Sequence, residues 1–424
     1  MTAAGIESNL LPDSAIIDNG RLFVGGCDIE ALANEHGTPL FIYDEDHLRA
    51  RCREAVAAFG PNVAYASKAF LCIAMAQLVH EEGMAIDVST GGEMFVALSA
   101  GVPAERLVFH GNNKSSRELE MALDAGVGRI VIDSWDEIRR IEALVEAGAS
   151  APTVLLRVNP GIEAHTHEYL QTGVTDSKFG FPIAELEAQA AIEHARASRW
   201  MEYRGVHVHV GSQVFDVASF AMAIESLAPF VRESEAAEFS IGGGLGVAYV
   251  HGEQSDSISD WASVVAEAVR KAGIDAEITA EPGRSIVATA AVTAYTVGTI
   301  KEVPGVRTYV AVDGGMSDNP RPVLYGSGYE AFRATDADAP RPLRAHIVGK
   351  HCESGDIIVR DASIPESLVV GDVLCTPVTG AYGHSMGSNY NKVLRPAVVF
   401  VADGEARIVV ERETYEDLVT RDVR

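Results

Sequence analysis

The side chains best suited to chemistry come directly after short β-branched runs of the sequence. Lys68 follows the run Val63–Ser67, and a lysine at such a point could form a Schiff base with a carbonyl compound. A lone lysine after a strand is more often a solvated surface residue. Lys68 therefore needs neighbouring groups of suitable chemistry before it predicts a function.

Two histidines share one face of a later run. His207 and His209 are two residues apart, and side chains at that spacing on a strand point the same way. They could be half-buried strand residues, bind a metal ion or stack on a flat aromatic ring. No carboxylate lies at metal-ligand spacing from them in the sequence, so we expect no metal.

Two further runs end in groups that suit an anion. The run Glu238–Ile241 leads into Gly242-Gly243-Gly244, where backbone N–H groups can approach a phosphate without obstruction by Cβ atoms. The run Glu277–Ala280 leads into Glu281-Pro282-Gly283-Arg284, which sets a carboxylate beside a guanidinium. The glycines alone could be a flexible turn, and their late position argues against a dinucleotide fingerprint. A Schiff-base lysine, a phosphate site, a ring platform and a lone carboxylate together predict pyridoxal phosphate (PLP).

The elements that must position these groups alternate regularly between residues 60 and 285. Eight strand-like runs are separated by helical patterns such as Ser116–Ala125 and Asp136–Ala147. This alternation predicts parallel strands, and eight units favour a (β/α)8 TIM-type barrel over a doubly wound sheet. In such a barrel the active site lies at the carboxyl ends of the strands, and phosphate commonly binds after strands 7 and 8. The predicted strands are Val63–Ser67, Ala85–Ser89, Leu107–His110, Arg129–Asp133, Val154–Val158, Tyr203–Val210, Glu238–Ile241 and Glu277–Ala280.

The sequence changes character after residue 290, where short strand-like runs replace the long helical periods. These runs predict a β-rich domain, to which the N-terminal runs Ala15–Asp18 and Leu22–Val24 could contribute. We therefore expect an N-terminal segment over residues 1–45 that joins the β-rich domain, a barrel over 46–288 and a β-rich barrel or sandwich over 289–424.

Charge and cysteine usage limit the partners and the compartment. The formal net charge of −26 over 424 residues would repel polyanions, so we expect neither nucleic acid nor an anionic membrane surface as a partner. The five cysteines are scattered and form no CxxC pair, which favours a reducing compartment over a disulfide framework or a structural zinc site. No apolar run is long enough to span a bilayer, and the N-terminus lacks a signal-peptide pattern. We expect a cytoplasmic enzyme.

A set of short motifs along the whole chain matches one known family when the motifs are read in order. The resemblance is to the fold-type III PLP decarboxylases, and among these it is closest to the diaminopimelate decarboxylases. It implies a (β/α)8 barrel, a β-rich domain built from both chain ends, and a homodimer with active sites at the subunit interface. The motifs are YASKA (65–69), HGNNKS (110–115), RVNPG (157–161), AHTHEY (164–169), SKFG (177–180), HVHVGSQ (207–213), GGGLG (242–246), EPGR (281–284), DGGMSDNPRPVLY (313–325), CESGD (352–356), GAY (380–382) and SMGSNYN (385–391).

The resemblance implies roles at the cofactor. Lys68 would carry PLP as a Schiff base, His209 would stack on its pyridine ring, and Glu281 would pair with the pyridine nitrogen. Asp87 would support the cofactor near Lys68. The residues implied around the phosphate are Ser212, Gly243, Gly244, Gly283, Arg284 and Tyr382.

The resemblance also implies roles at the substrate. Cys352 would protonate the carbanion and Glu353 would accept the distal ammonium, both reaching the site from the partner subunit. The distal carboxylate would be bound by Arg284, Arg321 and Tyr325, with Tyr382 nearby. Without the resemblance, Cys352 would be interpreted as a small buried residue and Arg321 as an exposed turn arginine.

The implied reaction converts meso-2,6-diaminopimelate into L-lysine and CO2, the last step of lysine biosynthesis. A relative acting on ornithine, arginine or a carboxylated polyamine is an alternative, although most of those substrates offer no distal carboxylate to Arg321. A racemase and a non-catalytic homologue that regulates a partner are two further classes. The presence of both Lys68 and Cys352 argues against the non-catalytic homologue.

Overall fold

The chain folds into two compact units in the computed structural model, which describes residues 5–161, 177–184 and 186–423. The barrel unit comprises Arg51–Gly246 and Ser255–Ser285. The β unit comprises the residues up to Ala50, Val247–Gln254 and the chain from Ile286 onward. The AHTHEY motif at 164–169 lies outside the described residues.

The barrel unit is built on eight parallel strands that pair in chain order. The backbone N–H groups of Ala64 and Ala66 donate to the carbonyl oxygens of Ala280 and Pro282, at 3.0 and 3.1 Å, which joins the first strand to the chain following the eighth. The predicted (β/α)8 barrel is therefore confirmed, and the doubly wound sheet was the wrong alternative. The strands are Ala64–Ala66, Ala85–Val88, Leu107–Phe109, Arg129–Ile132, Thr153–Asn159, Glu202–His207, Glu238–Ser240 and Glu277–Thr279.

Polar caps and glycines set the ends of several helices. Ser115 and Ser257 each begin a helix with a capping box, in which the serine side chain and an acidic side chain three residues later satisfy each other's backbone N–H groups. Gly126 and Gly273 end the same helices in the left-handed conformation. The helices are Ile29–His36, Glu45–Phe59, Ile73–Glu81, Gly91–Ser99, Ser116–Ala125, Trp135–Glu146, Glu187–Ala197, Ala218–Glu233, Ile258–Ala272, Arg284–Val287 and Arg321–Tyr325.

The β unit contains a nine-stranded, mostly antiparallel sheet and a three-stranded sheet near the N-terminus. An interior strand of the larger sheet, Leu40–Asp44, pairs with Ala291–Val303 and Ala397–Ala402, so both chain ends build one sheet as predicted. The sequence did not reveal this strand, because all five of its residues are buried and give no alternating pattern. The remaining strands are Ile16–Asp18, Arg21–Val24, Cys27–Asp28, Arg307–Val312, Phe332–Arg333, Leu343–Val348, Ile357–Ile364, Val373–Pro377 and Glu405–Val410, while Phe181–Pro182 pairs with the fifth barrel strand.

Among the residues that the structure describes, no helix combines the length and the apolar character needed to cross a bilayer.

Candidate active site

The carboxyl ends of the barrel strands carry the predicted cofactor residues of the barrel unit. Lys68 lies in a helical turn just after the first strand and is exposed, whereas Asp87 in the second strand is buried. Burial raises the pKa of Asp87 to about 6, against the opposing charges of His110 and Lys68. The charges of Lys68 and His110 therefore both favour the ionised form of the buried Asp87 carboxylate.

Glu281 follows the eighth strand and forms the centre of a buried polar network. Its side chain accepts hydrogen bonds from Nε2 of His207 at 3.0 Å and from Oγ of Ser240 at 2.9 Å. Nε2 of His110 lies 3.2 Å from the Oε1 atom that Ser240 also contacts. Burial alone would raise the pKa of Glu281, but His207 and His110 hold it well below its usual value. The carboxylate is therefore anionic although it is only 8% exposed.

The two histidines of the sixth strand region have different surroundings. His207 ends the strand and is buried against Glu281, while His209 is half-buried two residues later. Burial and the nearby charge of Lys68 lower the pKa of His209 well below its usual value. The ring of His209 is therefore neutral, which suits stacking on a flat cofactor.

Backbone segments pack directly against one another where a phosphate was predicted. A Cβ atom on Gly243 would overlap the carbonyl oxygen of Glu281, and one on Gly244 (φ 114°) would overlap the carbonyl oxygen of Gly211. Nη2 of Arg284 donates to Oγ of Ser212 at 3.3 Å.

Gly283 is similarly tight, since its Cβ would lie 2.9 Å from the Cβ of Ala66 beside Lys68. The strand-end loops thus bring glycine backbone, a guanidinium and a hydroxyl into one barrel unit with an anionic carboxylate and a lysine. These residues fit the phosphate, the pyridine nitrogen and the aldehyde carbon of PLP.

Arg321, in the β unit, is held among tyrosine rings. It is only 6% exposed, and its Nη2 donates to Oγ of Ser327 at 3.0 Å. Its guanidinium carbon lies 4.9 Å, 5.7 Å and 6.0 Å from the ring centres of Tyr249, Tyr382 and Tyr325. Three of the predicted substrate residues therefore lie together, and Tyr249 joins them without having been predicted. Arg321 is not the exposed turn arginine of the alternative interpretation.

The loop that carries Cys352 and Glu353 is exposed but anchored. The backbone N–H of Cys352 donates to Oδ1 of Asn391 at 3.0 Å. The Asp356 carboxylate accepts the backbone N–H groups of His351 and Met316 at 2.9 and 2.7 Å.

Cys352 is exposed, whereas Cys27, Cys52, Cys72 and Cys375 are buried. The interpretation of Cys352 as a small buried residue is therefore wrong. An exposed thiol on a fixed loop is free to meet a substrate.

The structure also brings together a set of possible metal ligands. One donor atom each from His110, His207 and Glu281 lies within 4.8 Å of the others. The sequence offered no carboxylate near the histidines because Glu281 is 74 residues from His207 and reaches it only because the sixth, seventh and eighth strands lie side by side.

Comparisons with known proteins identify the family of this chain. The model of the pyridoxal binding domain of pyridoxal-dependent decarboxylases matches residues 45–288. The diaminopimelate decarboxylase of Bacillus subtilis is 47% identical over 421 residues, which cover 96% of each protein. That of Mycobacterium bovis is 43% identical over 441 residues and 99% of each. The chain belongs to the diaminopimelate decarboxylase family.

Solved structures of diaminopimelate decarboxylases share the fold. A crystal structure from M. jannaschii has a TM-score of 0.91 and 33% identity, covering 97% of this chain and 98% of that one. Another, from Helicobacter pylori complexed with L-lysine, has a TM-score of 0.84 and 32% identity, covering 92% and 98%. Like the pyridoxal-dependent decarboxylases whose domain it matches, this chain is an enzyme that uses PLP. The predicted cofactor and enzyme class are confirmed.

Sequence reasoning missed several residues of this decarboxylase site. His110 lies in the HGNNKS motif, which had no assigned role, and Ser240 is the last residue of the seventh strand. Both could have been predicted by searching for polar side chains at the carboxyl ends of the barrel strands. Tyr249 and Asn391 carry no such signal, because their contacts depend on how distant segments of the β unit pack.

Proposed function

We propose that this enzyme decarboxylates meso-2,6-diaminopimelate at its D-centre and releases L-lysine and CO2, the last step of lysine biosynthesis. The observation that carries this choice is Arg321, a buried guanidinium enclosed by Tyr249, Tyr325 and Tyr382. A fixed, planar guanidinium suits a second carboxylate, which ornithine and arginine lack. The names of the curated relatives and the L-lysine in the H. pylori structure support the same substrate.

The barrel residues would hold the cofactor. When bound, PLP supplies an electron sink for the bond to the leaving carboxylate. Lys68 would attach it covalently, Asp87 would support that side of the site, and His209 would stack on the ring. Glu281 would face the pyridine nitrogen as an anion and keep that nitrogen protonated. The phosphate would be held by Ser212, Gly243, Gly244, Gly283, Arg284 and Tyr382.

The substrate residues divide according to charge. The distal end of diaminopimelate carries one ammonium and one carboxylate. Arg321, with Arg284, Tyr325 and Tyr382, would bind the carboxylate, and Glu353 would bind the ammonium. Tyr325 is 65% exposed, so it is accessible to a ligand. A substrate with only a distal amine would leave the guanidinium of Arg321 without a partner.

Cys352 would supply the proton that replaces CO2 at Cα. Proton transfer requires a donor that reaches the carbon, and the anchored loop presents an exposed thiol. We propose that the enzyme is a homodimer in which Cys352 and Glu353 serve the partner's active site. Their exposure in the single chain and the family resemblance support this arrangement.

We also propose a cytoplasmic enzyme that does not bind nucleic acid or membranes. Five cysteines outside any disulfide and a net charge of −26 support this placement. For its domains we propose residues 1–45 and 289–424 as the β-rich part and 46–288 as the barrel.

Substrate comparison tests the proposed function. Purified holoenzyme is incubated separately with meso-diaminopimelate, ornithine, arginine and a carboxylated polyamine, while CO2 release and amine products are measured. We expect L-lysine from diaminopimelate and at least about 100-fold lower kcat/KM for the others, since a lost charge-assisted pair costs about 3 kcal/mol.

The variant Arg321→Lys tests the observation behind this choice. It keeps the charge but loses the planar fork, so the KM for diaminopimelate should rise about tenfold. Arg344→Lys, at an exposed arginine of the same unit, is the control. No CO2 from diaminopimelate, or an unchanged KM in Arg321→Lys, would contradict the proposal.

A further inference from the structure

The polar network around Glu281 contains two histidines, His207 and His110, that have no role in the proposed reaction. We propose that His207 and His110 are positioning residues, which hold Glu281 so that the proton between it and the cofactor stays on the pyridine nitrogen. This inference rests on the proposed function, because it concerns the carboxylate that faces PLP. It adds His207, His110 and Ser240 to the residues that determine how strongly bound PLP withdraws electrons.

A buried carboxylate needs such partners. In a site of low polarity an isolated carboxylate is a stronger base than in water, and it would draw a shared proton away from a pyridine nitrogen. Hydrogen bonds to its oxygens weaken that basicity. Both Glu281 oxygens receive one, Oε2 from His207 at 3.0 Å and Oε1 from Ser240 at 2.9 Å.

The two histidines act in different charge states. Burial lowers the pKa of His207 to about 4, so its ring is neutral and Nε2 carries the hydrogen donated to Glu281. Its Nδ1 is buried and has no hydrogen-bond partner among the residues that the structure describes. In this network the neutral ring of His207 therefore acts as a hydrogen-bond donor to Glu281.

The neighbours of His110 instead favour the positively charged form of its ring. Burial opposes ionisation, but Asp87 and Glu281 together raise its pKa. Its Nε2 lies 3.2 Å from Glu281 and 3.8 Å from Asp87, between the two carboxylates. A cation beside Glu281 repels a proton moving onto that carboxylate, and thus favours the proton on the pyridine side.

The other groups facing the network come from four strands. They are Lys68 after the first strand, Asp87 in the second, Arg157 in the fifth and His209 after the sixth. Arg157 and Lys68 add positive charge, so the two carboxylates are compensated as a group. The direct contacts to the oxygens of Glu281 come from His110, His207 and Ser240.

The test measures the proton directly, without substrate. Wild type and variants are reconstituted with PLP labelled with nitrogen-15 in the ring, and the chemical shift of that nitrogen is followed with pH by NMR. In His207→Leu, Ser240→Ala and His110→Gln we expect the shift to move toward that of unprotonated pyridine. His207→Gln keeps an N–H near the position of Nε2 and should restore most of the wild-type shift.

Turnover supplies a second readout. The kcat of His207→Leu should fall about tenfold with KM unchanged, because a hydrogen bond to a charged group is lost while the substrate residues stay intact. His194→Leu is the matched control, since His194 lies in the same unit but pairs with Glu142 at a half-exposed site. If His207→Leu does not fold, Ser240→Ala tests the same inference, because it removes the other hydrogen bond to Glu281.

Two results would overturn the inference. One is a wild-type nitrogen shift and titration in both His207→Leu and Ser240→Ala. The other is zinc bound stoichiometrically to cofactor-free enzyme and lost in His207→Leu, because Glu281 would then serve a metal together with both histidines. Failure of the proposed function would show separately, as an enzyme with a normal nitrogen shift that releases no CO2 from diaminopimelate.

Discussion

Cys352 is the residue to which the proposed reaction assigns the final proton transfer. It is the exposed cysteine in a chain whose four other thiols are buried, and its loop belongs to the β unit. Replacing the sulfur should therefore leave the cofactor in place and remove only the proton donor.

We predict that Cys352→Ala lowers kcat by about 100-fold or more, the usual contribution of a positioned general acid, while the PLP absorbance of the enzyme is unchanged. Steady-state CO2 release and the visible spectrum measure the two quantities. Cys27→Ala, at a buried thiol of the same unit, should keep the wild-type kcat. Equal turnover in wild type and Cys352→Ala would remove the thiol from the mechanism.

Asp318 shows how a single buried carboxyl couples the β unit to pH. It accepts hydrogen bonds from Oη of Tyr295 at 2.7 Å and from the backbone N–H of Gly315 at 2.8 Å. Burial nevertheless dominates and raises its pKa to about 7. Because the folded state holds this proton more tightly than the unfolded chain, Asp318 makes folding less favourable as the pH rises from about 4 to about 7.

We predict that Asp318→Asn flattens this dependence. Relative to the variant, wild type should lose about 4 kcal/mol of unfolding free energy between about pH 4 and pH 7. Thermal unfolding at several pH values measures the difference, and Asp338→Asn, at an exposed carboxyl of the same unit, is the comparison. Parallel pH curves for wild type and Asp318→Asn would show that burial does not perturb this group.

At the scale of elements, the loop after Leu343–Val348 depends on a distant segment for its shape. Asn391, at the end of the SMGSNYN motif, accepts the backbone N–H of Cys352 at 3.0 Å. The ring of the neighbouring Tyr390 stacks on His351 with centroids 5.4 Å apart. The motif that the sequence analysis noted without a role thus supports the loop from one side.

We predict that Asn391→Ala lowers kcat about fivefold to tenfold, the cost of one hydrogen bond, with PLP content unchanged. Asn391→Asp keeps an oxygen acceptor and should lose less. The measurement is kcat beside the PLP spectrum, as for Cys352. If alanine and aspartate at this position behave alike and like wild type, the loop holds its shape without Asn391.

Strand ends were predictable from the sequence, whereas the contacts across the barrel were not. Lys68, His209 and Glu281 stand out because a parallel barrel collects the carboxyl ends of its strands at one face. The pairing of His110 with Glu281 depends on ring closure and on side-chain conformation, which no local pattern encodes. Leu40–Asp44 escaped detection for a different reason, since a fully buried strand lacks the polar alternation that marks a half-buried one.

At the scale of the whole molecule, the proposed functional residues are divided between the barrel unit and the β unit. Lys68 and Glu281 belong to the barrel unit, whereas Cys352, Glu353 and Arg321 belong to the β unit. The β unit itself combines both chain ends, because Leu40–Asp44 pairs with strands that begin at Ala291 and Ala397. In the homodimer proposed above, each active site would take Lys68 from one subunit and Cys352 from the other.

Subunit mixing tests this arrangement. Lys68→Ala and Cys352→Ala should each be inactive as homodimers. After the two are unfolded and refolded together in equal amounts, half of the dimers should be mixed, and each mixed dimer has one site with both wild-type residues by two-fold symmetry. We therefore predict recovery of about a quarter of the wild-type activity per site. Refolding each variant alone is the control. If mixing restores no activity while both variants form dimers, Lys68 and Cys352 act within one subunit and the shared site is excluded.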